Sequence, residues 1–299
     1  MPSSGAGCRP TRSISRSAIS TIGMARRPSD DKAAGGPWPQ GGRLRRGVSM
    51  LDGTEKNGMV KNVAPLRNVM LLGALIRKVT LRDEGMPGMA CFHGFSGYGK
   101  TQAALYNTQA TKACWVEVKS VWTRKTLCEK ICLNLGIPTG RTVADSVEKI
   151  GQELGESGRP LLLDEAHILC TDGMMKLVHD LYESAHGSSI ILIGEEMLPQ
   201  SLRRWERVHN RMLDWVAAQP ADLREVGILA SLKCRDLTIS EDVLQKVLVE
   251  SQAVARRIVS NLNQIKDYAR TEGKAVIDAG DIPHIRWMTG QAPSARRIM

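Results

Sequence analysis

The chain is 299 residues long, 42% hydrophobic and 24% charged, an ordinary composition for a globular protein with a prior of about two domains of ~100–200 residues each. It excludes wholesale disorder, collagen-like repeats and a disulfide miniprotein, and no run of about 18 apolar residues offers a membrane-spanning helix. The formal net charge of +10 is unevenly placed, because residues 1–60 hold ten of the 41 Lys/Arg but only four of the 31 Asp/Glu. A basic chain favours polyanions such as nucleic acid or an anionic surface, yet a solvated basic tail on a near-neutral domain gives the same sum.

Residues 1–60 are rich in Ser, Gly, Pro and Arg without hydrophobic periodicity, which predicts a disordered basic tail. The stretch to Arg27 lacks acidic residues, as transit peptides do, but has no amphipathic repeat and no apolar core of a secretory signal. Met24, Met50 and Met59 precede the patterned sequence as alternative starts, and folding is expected to begin near residue 60. Seven cysteines, at 8, 91, 114, 128, 132, 170 and 234, show no CxxC pairing, so they read as reduced thiols of a cytoplasmic protein. Cys128 and Cys132 share one helical face, where packing is the expectation rather than a metal.

From Val63 to Val79, apolar residues at spacings of three and four predict an amphipathic helix. A turn over Gly85–Gly88 leads into the apolar run Met89–Phe92, and further strand-like runs follow at 113–118, 160–163 and 189–193. Helical patterns over 100–108, 121–135, 142–154 and 171–185 lie between them. Strand and helix alternate with few hairpin signals, predicting an α/β fold whose parallel sheet carries helices on both faces. Beyond a last apolar run at 212–216 the pattern is helical, over 221–232, 240–250 and 253–271. The expected division is a tail over 1–60, a nucleotide-binding α/β domain over 61–219, a small all-helical lid domain over 220–290 and a disordered C-terminus over 291–299.

Gly94-Phe95-Ser96-Gly97-Tyr98-Gly99-Lys100-Thr101, followed by Gln102, matches GxxxxGK[ST] between a strand and a helix. The glycines let backbone N–H groups turn toward phosphates, the helix N-terminus adds partial positive charge, Lys100 reaches the β/γ oxygens, and the Thr101 hydroxyl ligates Mg²⁺. The later run PLLL ends in Asp164-Glu165-Ala166-His167. A carboxylate at the tip of a buried strand suits Asp164 to magnesium, and Glu165 to polarising the attacking water. Together these motifs point to hydrolysis of a nucleoside triphosphate with Mg²⁺.

The fourth run ends in Gly194-Glu195-Glu196, placing Glu195 at the strand tip where a phosphate sensor is expected, although a carboxylate there faces repulsion from a triphosphate. Arg207 and Arg211 are candidates for an arginine finger supplied to a neighbouring subunit, and Arg256 and Arg257, opening the last strong helix, for sensing the nucleotide.

This order of motifs is similar to the AAA+ ATPases. Within them GFSGYGKT, PLLLDEAH, ILIGEE and AVARRIVSNLNQIKDYA resemble the bacteriophage Mu B-type DNA transposition ATPases over about residues 63–285. The resemblance implies a protein that assembles with ATP into oligomers or filaments on double-stranded DNA and delivers that DNA to a transposase. By position after the second strand, Lys119, Arg124, Lys125 and Lys130 become candidates for phosphate contacts, with Trp122 packed beneath them. Two other readings stay open: an AAA+ ATPase coupled to a protein partner, secretion-associated or signalling, and another AAA+ protein acting on DNA, such as a helicase loader or a replication initiator.

Overall fold

The computed structural model describes residues 66–291. Every described residue belongs to one compact unit. The expectations for residues 1–60 and for 292–299 therefore lie outside the described residues.

In chain order the α/β elements are α1 (Arg67–Thr80), β1 (Met89–His93), α2 (Lys100–Thr111), β2 (Cys114–Glu117), α3 (Arg124–Leu135), α4 (Val143–Ser157), β3 (Leu161–Asp164), α5 (Asp172–Ser184), β4 (Ile190–Gly194), α6 (Leu198–Leu202), α7 (Glu206–His209) and β5 (Met212–Ala217). The five strands form one parallel sheet in the order β2-β3-β4-β1-β5. Side chains alternate along each strand and so feed two separate cores. Met89, Cys91, Leu161, Leu163, Ile190 and Leu192 face a core closed by α3, α4 and α5. Ala90, Phe92, Leu162, Ile191 and Ile193 face the other core, closed by α1 and α2. Both faces are covered, which is why the strands read as continuous apolar runs. Cys128 and Cys132 are buried in the first core, and burial pushes the Cys128 thiol up to about 11.

After β5 the chain builds α8 (Leu223–Lys233), β6 (Thr238–Ile239), α9 (Glu241–Glu250), α10 (Ala255–Glu272) and β7 (Val276–Ile277). Val226, Val243, Val247, Ile258, Leu262 and Ile265 pack there into a third cluster. The expectation of an all-helical part needs one correction, since β6 and β7 pair in parallel through Thr238↔Val276 and Ile239↔Ile277. Two-residue strands are too short to leave a period-2 signature in sequence.

Because the sheet is parallel, His93, Glu117, Asp164 and Gly194 end their strands along one edge. Open α/β sheets place ligands outside this carboxyl edge.

Candidate nucleotide site

The loop 94–99 leaves β1 and enters α2, whose N-cap is Gly99 at φ 83° with no side-chain cap. The first turn of α2 therefore presents uncapped N–H groups and carries no acidic residue of its own. Gly97 also has a positive φ, 85°, and a Cβ on it would come within 2.7 Å of Val254 Cγ1. Only glycine fits that close approach. The Lys100 ammonium folds onto its own loop, donating to the carbonyls of Gly94 at 2.7 Å and Phe95 at 3.0 Å. Burial lowers its pKa, opposed by the carboxylates of Glu165, Asp164, Glu195 and Glu196. That many carboxylates around one lysine suit a cleft that takes in cations with its anionic ligand.

A cleft of about 590 Å³ lies over this loop. Ser96, Gly97, Gly99, Lys100, Thr101 and Gln102 form its floor, Glu117, Glu165 and Glu195 reach in from the strand tips, and Leu229, Lys233, Ala255, Arg256 and Val259 close it from α8 and α10. Asp164 is 1% exposed and its Oδ2 has no hydrogen-bond partner, while Oδ1 accepts the Glu165 amide at 2.9 Å. Burial raises the Asp164 carboxyl above its ordinary range, against the pull of the Thr101 hydroxyl and the Glu165 amide. A buried, unpartnered carboxylate oxygen beside a hydroxyl is costly without a positive partner, and this pair of oxygen donors fits Mg²⁺. Glu165 itself sits at φ 55°, a rarely adopted conformation for a side-chain-bearing residue. His167 lies between two carboxylates, 3.4 Å from Glu165 and 3.9 Å from Glu195.

Of the other residues singled out from sequence, Arg256 joins the cleft and the rest lie away from it. Phe95 is exposed and stacks edge-on against Tyr98, which packs toward the α1/α2 core. Arg256 lines the cleft and donates its backbone N–H to the Gly97 carbonyl at 3.1 Å, whereas the Arg257 guanidinium binds Gln252 Oε1 at 2.6 Å. Arg207 and Arg211 stand at the opposite edge of the sheet: the Arg211 carbonyl accepts the amide of Met89, the first residue of β1. The Arg211 guanidinium is held by Glu183 at 2.9 Å, and Arg207 is exposed. Lys119 pairs with Glu117, Lys125 lies 3.9 Å from Glu129, and Arg124, Lys125 and Lys130 are exposed on α3. Trp122 packs partly buried against the first core. Glu117, Leu229 and Lys233 were not singled out from sequence. The ending of ACWVEV at a strand tip was a signal for Glu117, whereas nothing in the helical pattern marked the other two.

Residues 83–202 match the family model of the AAA domain. The fold is that of the AAA+ P-loop ATPases. Among solved structures the chain is similar to the Aeropyrum pernix ORC2 protein in ADPNP-ADP complexes, with TM-score 0.56, 15% identity and coverage of 73% of this chain and 67% of that one. It is similar to the Aeropyrum pernix ORC1 protein in complex with DNA, with TM-score 0.55, 16% identity and coverage of 75% and 65%. Similarity extends to the Thermotoga maritima RuvB Holliday junction branch migration motor, with TM-score 0.52, 14% identity and coverage of 73% and 67%. The chain thus spans about two thirds of the length of these proteins. No curated protein matches the sequence. Among the described residues no helix is long and apolar enough to cross a membrane.

Proposed function

We propose that this chain is an ATP-dependent DNA-binding protein that assembles on target DNA and delivers it to a transposase. The observation carrying the reading is the pairing of a nucleotide cleft with a basic segment that starts at one of the cleft's own strand tips. Glu117 lines the cleft, and Lys119, Arg124, Lys125 and Lys130 follow it along the chain into α3. Proteins of the same fold include one solved with DNA and one described as a branch migration motor, and the motif phrasing of Mu B-type ATPases points within that fold to transposition.

In this reading the loop 94–99 and Lys100 hold the ATP phosphates, Thr101 and Asp164 hold Mg²⁺, and Glu165 orients water. The metal supplies positive charge beside the phosphates. Arg256 meets the nucleotide from α10, and Arg207 or Arg211 serves a neighbouring subunit. Contacts made to phosphates alone make the binding tolerant of sequence and sensitive to salt.

Filter binding to duplex DNA with ATP, with ADP and without nucleotide tests the proposal. ATP-dependent retention at moderate salt, with target capture by a transposase encoded beside the gene, is the expected result. Retention independent of nucleotide, or none, removes the transposition reading.

A further inference from the structure

We infer that Asn68 is a positioning residue that ties the phosphate loop to the hinge between the sheet and the helices that follow it, so that nucleotide binding and hinge position are coupled. Asn68 lies in the first turn of α1 and is 8% exposed. Both of its amide protons and its oxygen are engaged, by two different segments. Nδ2 donates to the Tyr98 carbonyl of the phosphate loop at 2.9 Å and to the Gln219 carbonyl at 2.8 Å, while Oδ1 accepts the Gln219 N–H at 2.8 Å. Gln219 belongs to the short connection from β5 to α8. No other amide, carboxylate or hydroxyl of this size offers two donors and an acceptor together.

The anchor beneath Asn68 is rigid. Val69, Leu72, Leu75, Ile76 and Val79 bury one face of α1 against the sheet, and Asn107 of α2 donates to the Val69 carbonyl at 2.9 Å. The neighbouring residue reinforces the hinge: the Arg67 N–H donates to Glu225 Oε1 at 2.6 Å and its guanidinium pairs with Asp222, and these two acids form the capping box that starts α8. A second tie reaches the loop from α10, where the Arg256 N–H donates to the Gly97 carbonyl. Successive carbonyls of the phosphate loop, Gly97 and Tyr98, are thus held by α10 and by Asn68. Their orientation fixes where the intervening and following N–H groups point, so hinge position sets the cradle geometry without any of these ties touching the nucleotide.

The inference rests on nucleotide binding at this loop, and hydrogen exchange with calorimetry separates the two. In the full-length wild-type chain, ADP addition is expected to protect the Gln219 amide, which lies outside the cleft, together with amides 97–101. Calorimetric ADP binding with no change at Gln219 overturns the coupling alone, while absence of ADP binding overturns the site as well. Asn68→Asp keeps size and acceptor but removes both donations, and should weaken ADP about tenfold or more while amides of β1 and β4 keep their protection. Wild-type affinity in that variant, or exchange rising equally throughout the sheet, would make Asn68 merely structural.

Discussion

Lys100 sits among carboxylates with its ammonium resting on loop carbonyls, an arrangement with a positive charge ready for phosphate oxygens. Lys100→Ala removes that charge and should abolish ATP binding in calorimetry, with the fold intact by circular dichroism. Wild-type affinity in the variant would refute the site. Glu165, which lines the same cleft, is proposed for a different role. Glu165→Gln keeps shape and hydrogen-bonding capacity but lacks the charge that polarises water. Turnover should fall by ~10²–10⁴ with ATP affinity retained, a magnitude typical of losing a general base; normal steady-state hydrolysis would hand the role to another residue. That Lys100 and Glu165 would meet in one cleft was legible in sequence, because the motifs fix their spacing and set Glu165 just past a strand end. Asn68 was not, since a polar residue in the first turn of an amphipathic helix looks like solvent-facing surface until the partners of its amide are known.

At the scale of elements, the loop works because glycine is required where α10 approaches. Gly97→Ala places a methyl group against Val254 and forces a side chain into a left-handed conformation, costing about 1–2 kcal/mol from conformation alone. Weaker nucleotide binding with a small loss of thermal stability is expected, and calorimetry beside a melting curve checks both. In the helical part, Asp281 is bonded by the Lys274 ammonium, the Asp278 N–H at 3.1 Å and the Tyr268 hydroxyl at 2.9 Å. The Lys274 bond first, and the Asp278 amide second, hold its carboxyl down at about 2, below the ordinary 3.8. A depressed acid contributes stability that is complete above its unfolded value and is lost as pH falls from 3.8 toward 2. Asp281→Asn should therefore be less stable than wild type at pH 7 and indistinguishable from it below about pH 2, by thermal melts at both pH values; a gap independent of pH would exclude the ionic origin. The long elements announced themselves through buried runs and helical spacing. The start of α8 was read two residues early, at Ala221, because apolar spacing does not mark a helix end; the Asp222–Glu225 capping box begins the helix at Leu223. The one-turn helices α6 and α7 and the β6–β7 pair were not legible, because elements of two to five residues carry no period.

Across the whole molecule, sequence alternation implied a parallel sheet with two covered faces, but not the order β2-β3-β4-β1-β5, because which strands pair depends on contacts between distant segments. That order decides what the arginines can do. Arg211 adjoins the first residue of β1 and the phosphate loop follows the last, so the length of a five-residue strand, about 16 Å at ~3.3 Å per residue, separates it from its own cleft. Arg207, in the short helix just before β5, belongs to the same edge. Neither reaches the cleft of its own chain, and the Arg211 guanidinium is already engaged by Glu183, so the finger proposed to act on a neighbour is tested first at Arg207. Arg207→Ala should keep ATP affinity and lose turnover by as much as ~10³–10⁵, the worth of a finger in known NTPases. Mixing it with Lys100→Ala makes the decisive measurement. Each variant alone is inactive, but in a mixed assembly an Arg207→Ala subunit has an intact phosphate loop and can receive Arg207 from a Lys100→Ala neighbour. ATPase activity rising with the mixing ratio to a maximum near equal amounts is the expected outcome. A mixture as inactive as its components would mean that catalysis draws no arginine from this edge of an adjacent subunit.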